Sequence, residues 1–115
     1  MTMLKAAADF TALATAPRMS TPVLGIRYRT AASVTSTSTL RIGIAASKKI
    51  GNAVTRNRIR RRLKSILREL ATTVTPGTDV LISVRPAAAT ASSATLRAAL
   101  IECLVRAELI PTVRA

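Results

Sequence analysis

Two periodicities alternate along the chain. In residues 23–30, VLGIRYRT, the apolar Leu24, Ile26 and Tyr28 share one side of an extended chain and Arg27 and Arg29 the other, which predicts a strand. Residues 40–47, LRIGIAAS, repeat the pattern with Leu40, Ile42, Ile44 and Ala46 on one face, and VLISVR, 80–85, reads as a third strand ended by Pro86. Elsewhere the spacing is helical. Residues 5–15 place Phe10, Leu13 and Ala14 on one side before Pro17 and Pro22, and 92–109 carry Leu96, Leu100, Cys103 and Leu104 ahead of Pro111.

The strongest helical signal lies between the second and third strands. Ile59, Leu63, Ile66, Leu67 and Leu70 recur at i, i+4, i+7, i+8 and i+11, one arc at about 100° per residue. The polar stretch 31–39, AASVTSTST, reads as a hairpin loop, Pro76-Gly77 as a turn, and 86–91 as an Ala-rich loop. The predicted order is helix, two strands, helix, strand, helix: a single α+β domain over 1–115, with its core at about 4–110 and one small sheet packed against helices.

Charge changes the picture most. The formal net charge is +13, the pI about 11.9, and no acid occurs from 11 to 68. Such a balance predicts a polyanion partner. No run approaches the roughly 18 apolar residues needed to span a bilayer, and AAADFTALATA, broken by Asp9, does not read as a secretory signal. The expected location is the cytoplasm. With no histidine and one cysteine, Cys103, there is neither an internal disulfide nor an imidazole for acid or base work. Cys103, set among apolar neighbours, reads as a small buried hydrophobe. The five acids, Asp9, Glu69, Asp79, Glu102 and Glu108, are scattered singly, so no catalytic or metal-ligating constellation is expected.

The cations are concentrated where the helical signal is strongest, seven Arg or Lys from Arg56 to Arg68. Opposite the apolar arc, Asn57, Arg61, Lys64 and Arg68 also fall at i, i+4, i+7 and i+11. Arginine forks suit phosphate oxygens, Lys supplies a mobile charge, and Asn can read a sugar or base edge. The helix start adds free N–H groups and the positive end of the dipole, with Asn52 and Thr55 both plausible caps after Gly51. Ser47, Lys48 and Lys49 should lie near that end. Most charged helix faces are simply solvated. Like charges three and four apart repel by a few tenths of a kcal/mol per pair, however, and here almost no acid relieves them, which favours a face built for a bound polyanion. Charge alone does not separate DNA, RNA and anionic lipid.

The block RIGIAASKKIGNAVTRNRIRRRLKSILREL resembles the signature of the protein component of bacterial ribonuclease P: a strand ending Ser47-Lys48-Lys49, a turn with Gly51, Ala53 and Val54, then Arg56-Asn57-Arg58 opening a basic helix continued by Arg60, Arg61 and Lys64. ADF ending at Phe10 and DVLISVRPAA are similar to further family segments. The resemblance covers roughly residues 4–106.

It implies an α+β fold with a left-handed βαβ crossover, an exception to the usual hand. It also implies an endoribonuclease subunit that does no chemistry itself: a catalytic RNA with bound magnesium removes the 5' leader of precursor tRNA, the ion polarising the phosphate and activating water. Implied RNA contacts are Lys48, Lys49, Arg56, Asn57, Arg58, Arg60, Arg61, Lys64 and, along the same ridge, Arg68. Implied partners are the catalytic RNA and precursor tRNA with its leader, with no membrane or protein partner. The family holds single-stranded leader between the first helix and the sheet, and Phe10 and Tyr28 match its ring positions, where bases stack; both could instead pack in the core. A second first-helix aromatic of the family is Ala14 here. The competing readings are a structural ribosomal-type RNA-binding protein and a membrane-active basic protein, the latter lacking interfacial aromatics on 55–70.

Overall fold

The computed structural model describes residues 2–3, 16–30, 40–71, 73–74 and 78–109. The predicted helix over 5–15, and Phe10 with it, lies outside the described residues. Within them the fold is α+β: strands β1 (Thr2–Met3), β2 (Arg18–Ser20), β3 (Leu24–Thr30), β4 (Arg41–Ala45) and β5 (Thr78–Val84), and helices α1 (Ala53–Leu70) and α2 (Ser93–Arg106). Short 3-10 turns occupy Lys48–Ile50 and Pro86–Thr90, the latter where the sequence reads as an Ala-rich loop.

The sheet runs β1-β4-β5-β3-β2. β5 pairs parallel to β4 and antiparallel to β3, so it separates the two strands that the sequence suggests as a hairpin. The segment 31–39, itself outside the described residues, therefore links strands that are not neighbours. Alternation reports which residues share a face but not which strand lies beside which. The edge strands β1 and β2 leave no signal in the sequence, because two or three residues are too short to show a period of two. β4, α1 and β5 form a crossover between parallel neighbours; its left-handed sense stays an implication of the resemblance.

Register puts even-numbered strand residues on one face: Leu24, Ile26, Ile42, Val80, Ile82 and Val84, all buried, with Ile42 opposite Val80 and Ile26 opposite Ile82. Against them pack Ile59, Leu63, Ile66 and Leu67 of α1 and Leu96, Leu100, Cys103 and Leu104 of α2, in a single aliphatic core. The apolar arc of α1 is buried as its spacing predicts, and Leu70 is half-buried. Burying each such side chain is worth about 1.5–3 kcal/mol. Cys103 is fully buried; burial pushes its thiol pKa up, the Glu102 charge adds to this and Arg106 opposes it. Among the described residues no helix covers the other face of the sheet.

Both helix starts are capped by side chains. The Asn52 oxygen accepts the Thr55 N–H at 2.9 Å, which decides between the two candidate caps, and Ser92 Oγ accepts the Thr95 N–H at 3.1 Å. Gly51, at φ 153°, holds a conformation open to glycine; a Cβ there would stand 3.3 Å from the Thr55 side chain. The last helix stops at Arg106, short of the Pro111 expected to end it. Glu108 turns left-handed at φ 60°, its N–H donates to Val105 O at 3.0 Å, and the Leu109 N–H donates to Leu104 O at 2.9 Å. This Schellman closure seats Leu109 in the core, so burial ends the helix before the proline is reached.

Candidate nucleic-acid interface

The basic ridge is a product of helix geometry. Once Ile59, Leu63, Ile66 and Leu67 are buried, Asn57, Arg61 and Arg68 are left exposed and Lys64 half-buried on the outer side of α1. Val54, Asn57, Arg60, Arg61 and Lys64 line one shallow depression, and Arg60 Nη1 donates to Asn57 Oδ1 at 3.1 Å. Arg58 is exposed beside it. The Lys48–Ile50 turn holds Lys48 and Lys49 out in solvent because Ile50 is anchored in the core, and the turn packs against both α1 and the Pro86–Thr90 turn. Arg56 is half-buried, and its Nε is a buried nitrogen without a hydrogen-bond partner.

Val54, which the resemblance puts in the turn before the basic helix, lies inside α1. It is 71% exposed, an unusual state for a large apolar side chain. The signal was available: Val54, Asn57, Arg61, Lys64 and Arg68 follow helical spacing, which puts Val54 on the ridge and off the apolar arc. It offers an apolar contact for a sugar or base beside the charges.

Among the described residues no acid forms an ion pair with the ridge. Glu69 of α1 pairs with Arg97 of α2, and Glu102 lies 3.5 Å from Arg106 one turn on. Asp79, buried in β5, is held between strands: Arg41 reaches it bidentately, Nε to Oδ1 at 2.8 Å and Nη2 to Oδ2 at 2.7 Å, while Arg29 Nε donates to Oδ2 at 2.8 Å. Burial by itself would raise the Asp79 pKa, but these hydrogen bonds and both guanidinium charges outweigh it and hold the carboxyl below its ordinary value. Both oxygens are thereby engaged. Among the described residues no group of three or more His, Cys, Asp or Glu is placed to hold a metal ion.

Of the two ring positions, Tyr28 alone falls among the described residues. Tyr28 is half-buried on the helix-covered side of the sheet and packs against the core with Leu24 and Ile26. Phe10 lies outside the described residues. The outer face of the sheet instead presents arginines, and register lays them in rows. Arg29, Asp79 and Arg41 stand side by side on β3, β5 and β4. Two residues along, Arg18 of β2 is directly opposite Arg27 of β3, and beyond them Ser20, Gly25, Ser83 and Ala45 form a row of small residues. Arg18, Ser20, Gly25, Arg27, Ser83 and Arg85 line one depression there. No helix of the described residues is long and apolar enough to cross a membrane.

A family model described as Ribonuclease P matches residues 2–108. The "Ribonuclease P protein component" of Rhodococcus opacus (strain B4) is 45% identical over 73 residues, 64% of this chain and 58% of that protein. That of Thermus scotoductus is 47% identical over 73 residues, 64% of this chain and 43% of its own length. The chain thus spans about half the length of the curated relatives it matches. Among solved structures, the Staphylococcus aureus RNase P protein superimposes with a TM-score of 0.84 at 21% identity, over 96% of this chain and 99% of that one. The Thermotoga maritima RNase P protein gives 0.74 at 20% identity, over 89% and 94%. At these identities the structural likeness bears on the fold.

Proposed function

The chain belongs to the ribonuclease P protein family, and from that premise we propose that it is the RNA-binding subunit of ribonuclease P, which assists a catalytic RNA in removing the 5' leader from precursor tRNA in the cytoplasm. The observation that carries this is the uncompensated ridge of α1. None of its cations is ion-paired with a described acid, and the turn bearing Lys48 and Lys49 adjoins its start. A phosphate backbone supplies the missing charge.

In this reading Lys48, Lys49, Arg56, Asn57, Arg58, Arg60, Arg61, Lys64 and Arg68 contact RNA, with Val54 packing beside them. Magnesium, bound by the RNA subunit, supplies the hydrolytic chemistry, and no step of it is assigned to a side chain of this protein. What the protein adds is charge that lowers repulsion between two polyanions, and a surface that strengthens binding of precursor over mature tRNA. Precursor differs from product by its leader, so the second contribution needs a leader contact. Tyr28, half-buried beside the core, and Phe10, outside the described residues, are the residues assigned to that contact.

The test is multiple-turnover cleavage of a 5'-extended precursor tRNA by a bacterial ribonuclease P RNA at near-physiological magnesium, with and without the protein. The expected result is stimulation by the wild type that is lost in the Arg56→Ala/Asn57→Ala/Arg61→Ala variant. RNA binding with no effect on cleavage by the cognate RNA would move the ribosomal-type reading to first place.

A further inference from the structure

Helix α2 is apolar on both sides. Leu96, Leu100, Cys103 and Leu104 are buried toward the sheet. At about 100° per residue, Ala94, Ala98, Ile101 and Val105 fall on the opposite arc, at i, i+4, i+7 and i+11. Ala94 and Ala98 are exposed, while Ile101 and Val105 are half-buried and, unlike Ala99 and Ala107, do not join the core. The elements on which α2 packs, β3, β2 and α1, lie on its inner side and along one flank. A helix with apolar residues all round is ordinarily covered on both sides. On the α1 flank, Ser65, Ile66 and Glu69 of α1 with Ala94 and Arg97 of α2 line a depression of about 270 Å³ that opens beside the outer stripe.

Charge sets this face apart from the rest of the molecule. The chain carries +13, yet residues 93–109 sum to zero, with Arg97 and Arg106 against Glu102 and Glu108. Asp79 is held in the strand clamp, and the other described acids all border α2: Glu102, Glu108, and Glu69 through its pair with Arg97. This is the surface least suited to a polyanion and least repelled by another strongly basic chain.

The stripe is also complementary to itself. Its midpoint falls between residues 99 and 100, which is the midpoint of α2, Ser93–Arg106. A second α2 laid antiparallel about that point sets Ala98 against the partner's Ile101 and Ala94 against the partner's Val105. Small side chains then face large ones along the whole helix, about 21 Å at 1.5 Å per residue, and a twofold axis makes every pairing twice. The partner's Val105 comes down at the depression beside Ala94, and the antiparallel dipoles bring opposite ends together. A match of position and size at each point of the stripe favours a second copy over an unrelated protein.

We propose that α2 is a self-association surface, through which two copies of this chain pair across a twofold axis by Ala94, Ala98, Ile101 and Val105. This goes beyond the proposed function and does not depend on it. One helix pair buries less than a standard interface, so the dimer is weak.

Sedimentation equilibrium of the full chain, freed of nucleic acid, tests the pairing. The average mass is expected to rise from 12.1 kDa toward twice that value between about 10 µM and about 1 mM protein, the weak end of the affinity scale. Added salt should strengthen the association, because it screens the repulsion between two basic chains. Bridging by residual nucleic acid responds to salt in the opposite sense, so dissociation by salt overturns the proposal. Ala98→Glu, at an exposed position and with a good helix former, sets a carboxylate against the partner's Ile101. It is expected to weaken association by about tenfold or more with the urea midpoint of the dilute protein unchanged. The added acid lowers the overall repulsion, so only its place in the contact accounts for a loss. A mass that stays at 12.1 kDa at every concentration, or a variant that associates as wild type does, overturns the proposal. So does a chain that remains monomeric and is destabilised by Ala98→Glu, since the face is then covered from within the same molecule.

Discussion

The outer face of the sheet carries arginines at both ends, and the ends differ in one residue type. At one end Asp79 sits buried between Arg29 and Arg41, taking three hydrogen bonds of 2.7–2.8 Å. At the other, Arg18 opposes Arg27 with Arg85 nearby and no described carboxylate among them. The first end resolves its electrostatics within the protein and contributes to folding. Among the described residues the second has no acid to balance its charge. The α1 ridge belongs with the second kind. Arginine content by itself separates neither, because the same side chain serves as a strand clamp or a ligand site according to what register places beside it.

Removing the clamp should have the largest effect. Asp79→Asn leaves two guanidiniums facing each other across a buried amide, and should cost about 2–3 kcal/mol in urea unfolding; the range for broken buried pairs is discounted because both arginines are 38% exposed. The pH dependence has a definite sign. The folded-state pKa of Asp79 lies below its unfolded value, so its stabilisation is complete above about pH 4 and is lost as pH falls through the lower, folded value. Asp79→Asn should therefore unfold with a flatter acid limb than wild type, and parallel acid limbs would remove Asp79 from the account.

A ridge change should leave folding intact and alter binding. Arg61→Ala, at an exposed position, is expected to hold the urea midpoint while flattening the log K against log salt slope for the catalytic RNA by about one unit, the change that follows when one phosphate is no longer neutralised. An unchanged slope would deny Arg61 a phosphate. The smallest effect sharpens the contrast by converting one end into the other. Ser83→Glu brings an acid to the uncompensated end and should raise stability by about 0.5 kcal/mol, in the range of exposed sheet pairs. A fall in stability would mean that the arginines there are already balanced within the protein.

Particular residues show where the sequence sufficed. The period of Ile59, Leu63, Ile66 and Leu67 made both the buried arc and the ridge of α1 legible, because helix geometry is local and burial of one side dictates the other. The alternation of β3 correctly put Arg27 and Arg29 on the face opposite Leu24 and Ile26. Tyr28 obeyed that alternation too, which placed its ring toward the helices, where it packs with the core. Asp79 gave no signal in the sequence, since a lone acid acquires its role only when strands bring Arg29 and Arg41 to it from 50 and 38 residues away. Val54 falls on the ridge by spacing alone.

The sequence by itself determined the elements with clear periods, the apolar faces they bury, the cationic side of α1 and the family to which these belong. All depend on residues a few positions apart, whose relative directions the backbone fixes. The tertiary structure alone decided that β5 enters between β3 and β4, that Arg29 and Arg41 share one carboxylate, and that Arg18 meets Arg27 beside a row of small residues. Strand order and register are settled by how the whole sheet buries its face against both helices, and no local pattern carries that choice.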